Sequence, residues 1–380
     1  MSSVALYDPS HGEEECALVA EVVRSSRLSV GQLTARFEGR CADLLGAPAA
    51  VAVSSGTAAL HLALMAAGVS AGDEVIMPSL TFVSGAAMVR LLGARPVFAD
   101  VTGHDDLTID PEHVLSLIGE KTRAVVVMHY GGFSADLVRL AEVCASRGVI
   151  LIEDAAHAFA VSTPAGTCGM VGDYGTFSFF ATKNVSIGEG GLVVARDPER
   201  NAFIRRHRSH ALTTTPVERA ASGALDYDVD SVGLNYRPSD ISSAIALAQL
   251  DRLPDAQRAR EAARTDYRHR LAALEGVVLP FASVPDDESA HHLAAILLPE
   301  GTNRNAVVRS MRTRGVQVGM HYPPTHLFSA YRDADAPPLP ITEAVVPRLL
   351  SLPMHARLRT EDVAHVVEAL GSALAEEAHG

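Results

Sequence analysis

The sequence predicts an α/β protein. A large domain carries a mostly parallel seven-stranded sheet flanked by helices, and a smaller α/β domain follows at the C-terminal end. Three observations predict this. Seven short apolar runs recur between about residues 50 and 200: "AAVAVSS", "DEVIMPS", "RPVFADV", "RAVVVMHYGG", "GVILIEDAAH", "YGTFSFFAT" and "GGLVVARD". Helix-like stretches such as "GTAALHLALMAAG" and "DLVRLAEVCASRG" separate the earlier ones. The length of 380 residues suits a large domain with a smaller companion. Continuous apolar strands alternating with helices indicate a parallel sheet covered on both faces.

The elements follow in order. Residues before 50 read as helices packed on the outside. Several runs end in Ser, Gly, Asp or His, where ligands sit in such sheets. Residues 212–232 ("LTTTPVERAASGALDYDVDSV") lack periodicity and predict a long loop. A connecting helix is expected over about 238–275, where "ISSAIALAQLDRL" precedes an Arg-rich run with a solvated far side. Beyond about 276, "HHLAAILLP" and "VQVGMHY" read as strands, and "NRNAVVRSMRTRG" and "EDVAHVVEALGSALAEE" as helices. The expected domains are 1–250 and 251–380.

Composition narrows the function classes. Hydrophobic residues at 48% and charged residues at 20% describe an ordinary soluble protein. A net charge of −13 argues against a general nucleic-acid binder, which needs a basic face. Four scattered cysteines without a CxxC pair fit a reducing cytoplasm. The N-terminus "MSSVALYDPSHGEEE" shows neither the basic nor the apolar region of a signal peptide, and no membrane span is expected. His129, His207, His210, His291 and His292 form no HExxH or paired Cys/His site, so they read as structural and no catalytic metal is expected. Arg205, Arg206 and Arg208 read as a solvated helix face, with a nucleotide diphosphate contact as the sharper alternative.

Lys183 stands out. It is one of two lysines beside thirty arginines, the other being Lys121. Arginine serves a surface charge equally well but cannot lose a proton to become an amine nucleophile. Lys183 follows "GTFSFFAT" and precedes the turn "GEGG", which places it at a strand end where backbone can approach a ligand. The plain alternative is a solvated loop lysine. The chemical reading is a Schiff base to an aldehyde cofactor, most familiarly pyridoxal phosphate (PLP).

PLP makes further demands. An acid must face its pyridine nitrogen, and "GVILIEDAAHA" carries Glu153, Asp154 and then His157. A buried carboxylate needs a cation or strong donors, although an acidic pair can also cap the next helix. The phosphate needs a cradle, and "SSGTAALHLAL" places Ser54, Ser55, Gly56 and Thr57 at a helix start. Ser178 adds a hydroxyl from a neighbouring strand. The same Ser and Thr residues serve as ordinary caps. The ring needs an aromatic on its face, and Phe82 in "PSLTFVSG" follows a strand; its bland reading is core.

Together these stretches resemble the DegT-type (DegT/StrS) aminotransferases, PLP enzymes of fold type I in the aspartate aminotransferase superfamily. The matching segments are "SSGTAALHLAL", "GDEVIMPSLTFV", "GARPVFADV", "LIEDAAHA", "GDYGTFSFFATKNVSIGEGG", "GLNYRPSDISSAIALAQL" and "VGMHYPPTHL", from about residue 30 onward. The resemblance implies that Lys183 binds the cofactor covalently and shuttles the proton. It implies that Asp154 pairs with the pyridine nitrogen and that His157, where the group often has Gln, sits near the ring oxygen. Gly56, Thr57 and Ser178 would hold the phosphate and Phe82 would stack. Asn235 would reach the phosphate from the other subunit of a homodimer, with Arg237 close by. His321 and Tyr322 would lie near the substrate. The implied activity moves an amino group from an amino acid, L-glutamate by analogy, through pyridoxamine phosphate to a keto-sugar, most readily a nucleotide-linked one, in amino-sugar or secondary-metabolite biosynthesis such as that of antibiotics. A keto-cyclitol acceptor, a PLP-dependent sugar dehydratase and a non-catalytic PLP-binding regulator are the alternatives. Some members exchange the lysine for histidine and dehydrate; the lysine here favours transamination.

Overall fold

The computed structural model describes residues 3–214, 219, 222–333 and 336–379. Each of the seven apolar runs contributes a strand: β1 (Val51–Val53), β2 (Glu74–Pro78), β3 (Arg95–Ala99), β4 (Thr122–Met128) and β5 (Ile150–Asp154) come first. A two-stranded hairpin, β6 (Ser162–Thr163) and β7 (Gly166–Thr167), was not anticipated. β8 (Tyr174–Ser178) and β9 (Gly191–Ala195) complete the seven-stranded sheet, in the order β1–β9–β8–β5–β4–β2–β3. β9 alone runs against the rest, antiparallel to both β8 and β1. The C-terminal ends of β1, β2, β4, β5 and β8 therefore share one edge.

Helices cover both faces. α1 (Glu13–Ser25) and α2 (Gln32–Leu45) precede the sheet, as expected. α3 (Gly56–Ala66), α4 (Ser84–Leu91), α5 (Pro111–Leu117) and α6 (Leu137–Arg147) follow β1 to β4 in turn, and α7 (Pro198–His207) follows β9. The α3 sequence is almost wholly apolar and is buried nearly all round, packed on one sheet face with Val126, Ile152 and Val193. Each such aliphatic side chain contributes about 1.5–3 kcal/mol when buried.

α8 (Asp240–Leu271) is the connecting helix, with Pro254 inside it. Its Arg-rich half is not wholly solvated. Arg260 and Arg264 are buried and donate to the carbonyls of Met354 and Pro280 at 3.2 and 2.7 Å. Their faces pack, with Ala263, Tyr267 and Leu271, on a second core. Position 250/251 falls within α8, and Val4 joins that second core from the N-terminal end.

The C-terminal region holds β10 (Ala294–Leu297), α9 (Arg304–Thr313), α10 (Pro340–Val345), β11 (Leu349–Leu352) and α11 (Thr360–His379). "VQVGMHY" is not a strand: Val316 and Gly319 make single bridges, to Val4 and Ser351. The antiparallel partner of β10 is "LLSL" of β11. A buried four-residue run between Pro347 and Pro353 has no periodicity to mark it. Of the segment 212–232, residues 215–218, 220 and 221 lie outside the described residues; Leu212 bridges Val229 within the rest.

Arg208 corrects the reading of a solvated basic face. Its side chain is buried and donates to Glu38 and to the Ala52 carbonyl at 2.6 and 2.7 Å. Glu38 also accepts from Arg205 at 2.6 Å and from the Ala52 N–H at 3.0 Å. A buried carboxylate on α2 thus recruits the run to tie α2, β1 and α7 together, while Arg206 stays exposed and pairs with Asp230.

Candidate active site

A cavity of about 400 Å³ opens at the shared strand edge. Its floor is the turn from β1 into α3. Ser55 caps α3, its hydroxyl accepting the Ala58 N–H at 3.1 Å. That leaves Gly56 and Thr57, both lining the cavity, with first-turn N–H groups that have no acceptor inside the helix. Ser178 arrives from the end of β8. A Cβ on Gly56 would lie 2.8 Å from the Ser178 Cβ, and one on Gly191 would lie 2.4 Å from the Ser55 carbonyl oxygen. Glycine at both positions lets three backbone segments converge beside first-turn N–H groups, an arrangement suited to an anion.

β5 supplies two carboxylates that part company, because successive strand residues face opposite ways. Glu153 is fully buried on the far side. It accepts N–H groups from Gly169, Val171 and Gly172 at 2.7, 2.8 and 2.6 Å. His129 Nδ1 accepts the Ala135 N–H at 3.2 Å, so its proton lies on Nε2, which donates to Glu153 at 2.9 Å. The pair is a structural knot, as the plain reading of His129 had it. Asp154 lines the cavity and accepts the Ala156 N–H at 3.1 Å through Oδ1. Burial raises its carboxyl above the ordinary range, against the Ala156 N–H and the Lys183 charge.

Lys183 sits on the tight turn after β8, its N–H bonded to the Phe180 carbonyl at 2.8 Å. Its side chain lines the cavity. Burial pushes its amine down to about 8, with Asp154 pulling the other way. Both partners are thus moved toward neutrality in the protein alone. A cationic ring nitrogen beside Asp154 would restore its charge.

The opposite wall comes from the second core. His321 and Tyr322 line the cavity, although their segment is not a strand. The Tyr130 hydroxyl donates to the His321 carbonyl, and His321 Nδ1 shares a hydrogen bond of 2.8 Å with the Ser351 hydroxyl. Burial lowers His321 to about 4. His157 Nδ1 accepts the Gly131 N–H at 3.3 Å, which leaves its proton on Nε2, 3.1 Å from the Tyr322 hydroxyl oxygen. Burial, then the Lys183 charge, holds His157 well below the ordinary histidine range. Phe82 is 52% exposed at the mouth, with its ring 5.7 Å from that of Tyr322. It is no core residue, and its exposed ring lines the cavity.

Asn235 and Arg237 do not line this cavity. Asn235 is exposed on a ribbon bridged to Ser209. Sequence reasoning missed Tyr7, which lines the cavity on an N-terminal strap. The strap is held by Val4 N–H to Gly315 O at 2.8 Å, Met354 N–H to Leu6 O at 3.1 Å and an Asp8–Arg357 ion pair of 3.3 Å. Its partners lie more than 300 residues away, so no local pattern could reveal it. Glu189 and Thr182 also line the cavity and were visible as neighbours of Lys183. Among the described residues, no group of three or more His, Cys, Asp or Glu side chains is placed to hold a metal ion, and no helix is long and apolar enough to cross a membrane.

An amine, a carboxylate with one oxygen available, an anion cradle and an exposed aromatic around one cavity fit PLP. Residues 9–371 match the DegT/DnrJ/EryC1/StrS aminotransferase family. The chain belongs to this family. Like its relatives, this DegT-family protein is a PLP-dependent aminotransferase. The aminotransferase TlmJ from Streptoalloteichus hindustanus is 35% identical with a TM-score of 0.91, over 99% of this chain and 100% of that one. DesI, solved in the presence of its TDP-sugar product, is 30% identical with a TM-score of 0.89, over 100% of this chain and 95% of that one. The PLP form of Spr1654 from Streptococcus pneumoniae, described as a putative sugar aminotransferase, is 25% identical with a TM-score of 0.91, over 98% and 99%. The fold of this DegT-family chain is therefore that of the fold type I PLP transferases.

Proposed function

We propose that this DegT-family enzyme moves an amino group from L-glutamate to the ketone of a hexose carried on a nucleoside diphosphate. The observation that carries the reading is the convergence of Lys183, Asp154 and the Gly56–Thr57–Ser178 cradle on one cavity. The likeness to DesI, described with a TDP-sugar product, supports a nucleotide-linked acceptor.

Bound PLP supplies an electrophilic aldehyde carbon and a ring that takes up electron density from a substrate carbanion. Lys183, with its amine lowered to about 8, holds a useful unprotonated fraction near neutral pH and serves as nucleophile. Its Nζ would also take the proton from the donor α-carbon and deliver it across the same cavity. Asp154 would hold negative charge against the ring nitrogen, and an opposite charge at that place would keep the nitrogen protonated. Gly56, Thr57 and Ser178 would hold the phosphate, Phe82 would cover the ring, and His157 would stand at the ring oxygen. His321 and Tyr322 face the substrate from the second core.

The active unit in this reading is a homodimer with shared sites. Asn235, exposed and away from its own cavity, reaches the partner's phosphate, with Arg237 beside it. Mixing Lys183→Ala and Asn235→Ala subunits should restore about a quarter of the sites, because a mixed dimer rebuilds one intact site of two. No recovery on mixing would refute the sharing. Four free cysteines support a reducing, cytoplasmic setting.

The deciding assay loads the enzyme as the pyridoxamine form and offers nucleotide-linked keto-hexoses, free keto-hexoses and keto-cyclitols. Return of the yellow form with the nucleotide-linked ketones alone is expected. Return with cyclitols alone would overturn the acceptor and leave transamination standing. A form that never bleaches with glutamate would overturn the donor.

A further inference from the structure

We propose that Asn184 and His292 form a positioning pair that holds His157 in the cavity wall as the tautomer with its proton on Nε2. The proposal rests on the reading of His157 as the residue beside the cofactor's ring oxygen. Neither partner lines the cavity, and neither is used in the chemistry above.

The hydrogen bonds assign the direction of each contact. Asn184, the residue after Lys183, donates from Nδ2 to the Ala290 carbonyl at 2.7 Å. Its Oδ1 is then an acceptor, and His292 Nδ1–H donates to it at 3.0 Å. His292 is 7% exposed, and its ring packs on that of His157 with centroids 4.3 Å apart. The His292 N–H donates to the Gly131 carbonyl at 2.9 Å, and the Ala290 N–H to the Gly132 carbonyl at 3.0 Å. The segment carrying His292 is thus clipped to the backbone whose Gly131 N–H meets His157 Nδ1.

That last bond is long, at 3.3 Å, and holds a ring less firmly than a bond in the usual 2.7–3.2 Å range. The packed, anchored His292 ring supplies what it lacks. The anchored ring packs against His157 while His157 meets both Gly131 and Tyr322, the latter at 3.1 Å, and so opposes its turning away from either. The residue beside the lysine is thereby wired, through a histidine beyond the sheet domain, to the wall facing the ring. The tautomer of a histidine that touches a ligand is set by the bond its other ring nitrogen makes; for His157 that is the Gly131 N–H, and the pair keeps the ring in register with it.

The test is imidazole-nitrogen NMR of the cofactor-free enzyme, as wild type, Asn184→Ala and His292→Phe. The phenylalanine keeps a ring in the buried site but has no donor for Asn184, which protects the fold. Wild type should show His157 as one Nε2–H tautomer, and both variants a mixture. A His157 spectrum unchanged in both variants overturns the proposal. So does an unchanged spectrum in His292→Phe alone, since shape would then suffice. A second readout is PLP affinity by absorbance titration. Asn184→Ala should weaken it about 3- to 10-fold with His157 present and not at all in a His157→Ala background, the non-additivity expected of groups acting through one residue. Equal weakening in both backgrounds overturns the proposal. If His157→Ala itself leaves affinity and spectrum unchanged, the cofactor reading of His157 falls, and the NMR result still decides the positioning pair.

Discussion

The two sides of the sheet at the end of β5 carry the same chemistry to opposite ends. Glu153 and Asp154 are adjacent carboxylates, both buried. On the far side Glu153 is saturated by three backbone N–H groups and His129. On the cavity side Asp154 has one backbone donor, a raised carboxyl and Lys183 for company. A saturated carboxylate holds structure together and has nothing left for a ligand. An undersupplied one is a liability until a cation arrives. The difference separates stability from function along a single peptide bond.

Four experiments can break or sharpen that contrast. The largest effect is expected for Lys183→Ala. Turnover should fall by at least about 10³-fold, and borohydride should fix no cofactor to the protein, while the cofactor-free form stays folded. A fixed label at another residue would remove Lys183 from the chemistry. Next, Asp154→Asn should cut turnover about 10²- to 10³-fold, as loss of part of a strong charge pair implies. Its denaturant stability without cofactor should hold or rise, because a buried, undersupplied charge is gone.

The mirror experiment is Glu153→Gln. One amide N–H₂ would confront donors, costing about 2–4 kcal/mol of stability, while turnover per folded molecule stays within a few-fold. A Glu153 variant that loses turnover but no stability would invert the contrast. The smallest effect is a pH dependence. Capture of PLP by the cofactor-free enzyme requires the unprotonated amine of Lys183. Its rate should climb with pH, about tenfold per unit, and level off above the lowered value of about 8. A climb continuing toward the ordinary lysine range would show that Lys183 is not desolvated.

Much of the site was legible along the chain because its parts sit at strand ends. Gly56, Thr57, Phe82, Asp154, His157, Ser178 and Lys183 each follow an apolar run, and a parallel sheet sends those ends to one edge. Chemistry sharpened the reading: a rare lysine in an arginine-rich chain marks a position where an amine is needed. The tyrosine at position 7 was invisible, since only the fold carries the N-terminal strap to the second core. Arg208 misled because its neighbours are polar and its partner, Glu38, lies 170 residues earlier. "VQVGMHY" misled because alternation also suits an extended segment that pairs at single points.

The sequence by itself determined the strand runs, the helix-start cradle and the order of amine, acid and aromatic, because each depends on neighbours within a few residues. Tertiary structure alone decided which of Glu153 and Asp154 faces the cavity. It also decided that His292, hydrogen-bonded to Asn184 108 residues away, packs on His157, and that Tyr7 lines the cavity. Those outcomes depend on burial and hydrogen-bond partners that only folding brings together, and on which face of a strand a one-residue step selects.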